Sequence, residues 1–162
     1  MIFVTVGANT PFDRLIRCVD AWAAERGRDD VFAQIGRTDY RPAHVRWREM
    51  LTPQEFRESL HGASVIVAHA GMGTILSALE IGVPLLVMPR RAALREQRND
   101  HQLATARRLS ERGLVHVAQD ETELRARLDE VVALRAHERI AAVAPAPLVE
   151  HLRSFIAGRP AR

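Results

Sequence analysis

The residues best suited to chemistry run from His69 through Ala70, Gly71, Met72 and Gly73 to Thr74. Just before them, Ser64 to Ala68 is short, apolar and β-branched, as in a strand buried on both faces. Just after them, Thr74 opens a helical pattern with Ile75, Leu76, Leu79 and Ile81 apolar, and Gly82 is a natural C-terminal cap. Leu85 to Met88 is the next strand. A strand, glycine turn and helix in this order aim backbone N–H groups and the positive end of the helix dipole at whatever lies above the strand. Gly71 and Gly73 would let a ligand approach the main chain, and Thr74 adds a hydroxyl. The ligand these groups suit is an anion, a phosphate or diphosphate. The other reading is architectural: the glycines allow tight helix–strand packing and His69 is a hydrogen-bonded structural histidine.

Composition narrows the chemistry. All 23 basic residues are arginine, which excludes a P-loop lysine and Schiff-base catalysis. The dinucleotide fingerprint fails too, because the Gly71-Met72-Gly73 turn lacks a third glycine and is not the first turn of the chain. Cys18 is the only cysteine, so there is neither a disulfide framework nor a cysteine zinc site. Asp-x-Asp does not occur, and Asp29-Asp30 belongs at the opposite end of the sheet; no metal is expected. The net charge is only +3 and aromatics make up 5%, which argues against nucleic-acid binding. With 47% apolar residues, no membrane-spanning run and a strand at the start, the expectation is one cytoplasmic domain over 1–162.

The elements that position this turn follow from periodicity. Ile2 to Val6 reads as a strand followed by a Gly7-Ala8-Asn9 turn. Thr10, Pro11 and Asp13 read as a helix cap, first-turn proline and capping-box acid; the helix packs through Phe12, Leu15, Ile16, Val19, Trp22 and Ala23 and stops at Gly27. Val31 to Ile35 is a strand ending in Gly36-Arg37-Thr38, and His44 to Met50 is a weaker one. Thr52, Pro53 and Glu55 repeat the cap pattern before a short helix packing through Phe56 and Leu60. Past the arginine-rich loop from Pro89 to Arg98, Asn99 caps a helix to about Glu111, Leu114 to Val117 is a strand, and Asp120 with Glu123 opens another helix. A last amphipathic helix, about 147–157, carries Leu148, Val149, Leu152, Phe155 and Ile156.

Strands alternating with helices predict an α/β fold, a Rossmann-like parallel sheet with helices on both faces. Ligands of such sheets bind beyond the carboxyl ends of the strands. Gly7 to Asn9, Gly36 to Thr38, His69 to Gly71 and Pro89 to Arg91 all fall at that rim. The arginines at 90, 91, 95 and 98 read as a solvated loop, or as bidentate partners for an anionic ligand.

Several motifs in order resemble one family. Met1 to Gly7 with Pro11-Phe12-Asp13, then His69 to Thr74, Gly82-Val83-Pro84 and Asn99-Asp100-His101-Gln102, are similar to the C-terminal, donor-binding half of family 28 glycosyltransferases. The resemblance implies the C-terminal half of a GT-B enzyme, with a UDP-sugar as substrate and no further cofactor. It implies that His69, Gly71, Met72, Gly73 and Thr74 hold the diphosphate and that His101 and Gln102 contact the donor sugar, with Gly7 and Asn9 at the same rim. Gln54, after Pro53, matches a proline–glutamine pair near the uracil pocket of plant relatives. Ser77 stands where relatives often carry a carboxylate for the ribose, and Glu80 is the alternative.

The stand-alone subunits of this family imply a partner. The acceptor-binding half would be a separate, membrane-associated transferase subunit that supplies the catalytic base, no candidate for which is found here. This chain would be recruited from the cytosol to the inner face of the membrane, its last helix either facing the partner or packing against this domain's own sheet. Together they would move a sugar to a lipid-linked acceptor with inversion, in polysaccharide or glycolipid synthesis. The alternatives are a non-catalytic accessory subunit and a sugar-nucleotide epimerase.

Overall fold

The computed structural model describes residues 1–8 and 10–134. All six expected strands form, and every pairing between them is parallel. The strands are β1 (Ile2–Thr5), β2 (Val31–Gln34), β3 (Arg46–Arg48), β4 (Val65–His69), β5 (Leu85–Met88) and β6 (His116–Val117), side by side as β3-β2-β1-β4-β5-β6. This is the doubly wound order, in which strand progression reverses between β1 and β4 and leaves a crevice beyond their carboxyl ends.

Alternate residues of each strand feed two cores. Ile2, Val4, Val65, Val67 and Leu86 pack against α1 (Asp13–Arg26) and α5 (Glu121–Leu134) through Leu15, Ile16, Trp22, Leu124 and Leu128. Phe3, Ile66, Ala68, Leu85 and Val87 face α2 (Pro53–Gly62), α3 (Met72–Ile81) and α4 (His101–Glu111) through Leu60, Ile75, Ala78 and Ala106. Burial on both faces is why the four central strands read as largely continuous apolar runs rather than alternating ones. Trp22 is a core residue, and its indole N–H donates to Asp129 on α5.

The parallel crossover from β2 to β3 contains no helix. Its irregular backbone is held by Asp20 of α1, whose carboxylate accepts from the N–H groups of Ala43, His44 and Val45 and from the Tyr40 hydroxyl. Burial pushes the Asp20 carboxyl up, but these donors outweigh it and hold it below the usual range.

Several boundaries depart from expectation. α1 starts at Asp13 with Phe12 in the cap position, not with Thr10 as its cap. The carbonyls of Thr10 and Pro11 are taken by Arg90, and Asp13 accepts from the Thr38 hydroxyl instead of closing a capping box. α3 starts at Met72, before Thr74. β3 and β6 are shorter than predicted, as sheet-edge strands with one neighbour each. Asn9 and the last helix, about 147–157, lie outside the described residues. Among the described residues no helix is long and apolar enough to cross a membrane.

Candidate functional site

Polar residues close three strands at the rim: Thr5 ends β1, Gln34 ends β2 and His69 ends β4. The buried Thr5 hydroxyl donates to Gln34 Oε1 at 2.9 Å and accepts from Gly7 N–H at 3.2 Å, fixing the turn after β1. The His69 imidazole stands in the crevice between β1 and β4, with Gly7 and Gly71 both packed against the ring. Its Nδ1 is buried and has no hydrogen-bond partner among the described residues. Burial first, and then the positive charge of Arg90, push His69 down to about 4, with the Thr5 backbone pulling the other way. The imidazole is therefore neutral at pH 7 and meets an anion as a hydrogen-bonding group rather than as a cation.

Beside it, α3 begins with an open end. Its cap residue, Gly71, has no side chain to bond the first turn. The N–H groups of Met72, Gly73 and Thr74 have no acceptor among the described residues; the first intrahelical donation is Ile75 N–H to the Gly71 carbonyl. Three donors thus point outward at the positive end of the helix dipole, the arrangement that binds phosphate and carboxylate. Gly73 has nothing within 4 Å of where a Cβ would lie, so its approach is clear. Gly71 is different from expectation. Its bare Cα faces the His69 ring, so it is not the open approach that the sequence suggested.

The arginine loop also corrects the sequence reading. Arg90 is 2% exposed, neither solvated nor available to a ligand. Its guanidinium donates to the carbonyls of Val6, Thr10, Pro11 and Glu96, and lies 4.8 Å from the Phe12 ring centre. One buried cation therefore ties the loop after β5 to the loop after β1. Arg14 reinforces the joint through Glu96, whose carboxylate also accepts from Arg91 N–H. Arg95 and Arg98 are exposed, while Arg91 donates to the Gln119 carbonyl.

The remaining predicted residues divide. Met72 is 42% exposed at the open helix end. Thr74 is buried at the same end. His101 is exposed at the start of α4, where Asn99 Oδ1 accepts from its backbone N–H and contacts the ring. Gln102 is buried, and its Oε1 accepts from Arg90 N–H, a structural bond inside the loop joint. Gln54 is exposed in the first turn of α2 and donates to Glu58. Ser77 and Glu80 line a cleft of about 420 Å³ between α2 and α3, with Arg57, Leu60, His61 and Ile81. At about 1.5 Å rise per residue, Ser77 is the nearer of the two to the open helix end.

The sequence reading missed Arg14, Gln34 and the role of Arg90. Gln34 carried a signal, because a polar residue ending an apolar strand in a doubly wound sheet lies at the ligand edge. Arg14 carried none: its partner Glu96 is 82 positions away.

The exposed large apolar residues among the described ones are Met50, Met72 and Leu94, which follow β3, β4 and β5 at this same rim.

Residues 1–152 match the family described as the glycosyltransferase family 28 C-terminal domain. The UDP-N-acetylglucosamine transferase subunit ALG13 of Homo sapiens is 34% identical over 123 residues, covering 69% of this chain and 10% of that protein. The mouse protein is similar at 33% over 122 residues, so the chain spans about a tenth of these curated relatives. Among solved structures, the NMR structure of ALG13 superposes with a TM-score of 0.61 at 21% identity, over 93% of each chain. MurG of Acinetobacter baumannii gives 0.62 at 19% identity, over 87% of this chain and 43% of that one. The architecture is thus that of the C-terminal half of GT-B glycosyltransferases.

Proposed function

Since this chain belongs to the family of glycosyltransferase family 28 C-terminal domains, we propose that it is the donor-binding part of an inverting, UDP-sugar-dependent glycosyltransferase. The observation that carries this reading is the uncapped start of α3 beside His69, at the crevice between β1 and β4. The diphosphate accepts from the N–H groups of Met72, Gly73 and Thr74. These donors become more valuable as the glycosidic bond breaks, because negative charge then collects on the departing UDP. His69 adds a neutral hydrogen-bonding group, Ser77 lies toward the ribose, and His101 toward the sugar.

The acceptor hydroxyl needs a base, and we assign it to a second polypeptide that closes the cleft over this rim. Two facts support the assignment: the relatives named ALG13 are called transferase subunits, and Met50, Met72 and Leu94 expose apolar surface at the rim. That partner binds a lipid-linked acceptor and holds this chain at the membrane from the cytosolic side. Calorimetry with UDP, UDP-sugars and uridine tests the donor site directly. Binding that follows the diphosphate, with UDP well above uridine, is expected; no UDP binding with or without the partner refutes it. A sugar-transfer assay tests the division of labour, and transfer to a lipid acceptor by this chain alone refutes that part.

A further inference from the structure

Glycine at position 71 is not required by its backbone. Gly71 has φ −92° and ψ 129°, extended geometry open to any residue. It is also the cap position of α3, where serine, threonine, aspartate and asparagine are preferred because their side chains bond the first-turn N–H groups. What excludes them is one neighbour. A Cβ at 71 would lie 2.9 Å from both Cδ2 and Cε1 of His69 and closer still to Nε2, and the three nearest atoms all belong to that ring. Gly7 packs against the same ring, since a Cβ there would lie 2.8 Å from its Cε1. Gly7 has φ +76°, so glycine stands there for backbone reasons as well.

We infer that Gly71 is a positioning residue whose bare Cα seats the His69 imidazole, and that this packing is what keeps α3 uncapped. The ring and the three free donors are then one device: the imidazole that faces the ligand also denies the helix end any capping side chain. The functional half of this inference rests on the donor-site reading above; the packing half does not.

A double-mutant cycle tests it. Thermal unfolding and calorimetry with UDP and uridine are run on the wild type, His69→Ala, Gly71→Ala and the double variant. Gly71→Ala alone should lower the melting temperature and weaken UDP at least about tenfold, the scale of one hydrogen bond to a charged group. Uridine binding should fall less, matching the pattern of His69→Ala. In the His69→Ala background, Gly71→Ala should cost no further stability and no further UDP affinity. Additive losses, with Gly71→Ala equally harmful once the ring is gone, overturn the inference. If Gly71→Ala does not fold, the double variant decides: a melting temperature equal to that of His69→Ala supports the seat, and an unfolded double variant refutes it. If the wild type binds no UDP, the donor-site reading fails while the stability cycle still decides the packing.

Discussion

α2 and α3 both start at the carboxyl rim of the sheet, and their first turns are opposites. At α2, Pro53 has no N–H to leave unpaired, the Thr52 hydroxyl accepts from Glu55 N–H, and the Glu55 carboxylate accepts from Thr52 N–H at 2.8 Å. That backbone donor holds the Glu55 carboxyl below its ordinary range. The helix end is closed by its own side chains. At α3 the corresponding residues are Gly71, Met72 and Thr74, no side chain folds back, and the N–H groups of Met72, Gly73 and Thr74 have no acceptor among the described residues. Both ends carry the same dipole, so the dipole does not distinguish them. What distinguishes a binding end from an architectural one is whether the sequence consumes its donors.

The largest effect should come from closing the open end. Gly73→Asp sets a carboxylate among the free donors, where no atom of the described residues outside the helix backbone lies within 4 Å of the added Cβ. UDP affinity should fall about a thousandfold, about 4 kcal/mol, through like-charge repulsion and occupied donors. The melting temperature should hold or rise slightly, because an acid in a first turn suits the dipole. Calorimetry paired with thermal unfolding checks both halves, and retained UDP binding in a folded Gly73→Asp protein would refute the role given to α3.

Acid should expose the next difference. His69 is held down to about 4, whereas the unfolded chain titrates near 6.5. Between these values the unfolded state carries a proton that the folded state lacks, so the stability gap narrows as pH falls from 6.5 toward 4. At the low end the loss attributable to His69 is about 3 kcal/mol. Urea unfolding across this range should show that slope in the wild type and a shallower one in His69→Ala. Equal slopes would mean that the ring is not buried as described.

The smallest effect belongs to the closed end. Thr52→Ala removes the cap of α2 and should cost about 1 kcal/mol in denaturant unfolding. UDP affinity should stay within twofold of the wild type, since the lost bonds serve the helix alone. A loss of UDP binding comparable to that of Gly73→Asp would erase the contrast between the two ends.

The sequence alone determined whatever is settled within a few residues. Strand–helix alternation, the Thr52–Glu55 capping box, and the left-handed glycine caps at Gly27 and Gly82 all follow from local sterics and hydrogen bonding. The open turn from His69 to Thr74 was visible for the same reason. Asn99 was expected to cap α4, but the cap position is Asp100, which makes no side-chain cap bond, and Asn99 Oδ1 accepts from His101 N–H just before the helix. Tertiary structure decided everything that depends on which strands lie side by side. Placing β4 next to β1 brings Gly7 against His69, and placing β5 beyond β4 swings Arg90 under carbonyls up to 84 positions away. Burial then reassigned residues whose types suggested otherwise: Arg90 became a joint instead of an anion ligand, Gln102 its support, and Gly71 the seat of an imidazole. No local pattern encodes these roles, because the partner that defines each is brought near only when the sheet assembles.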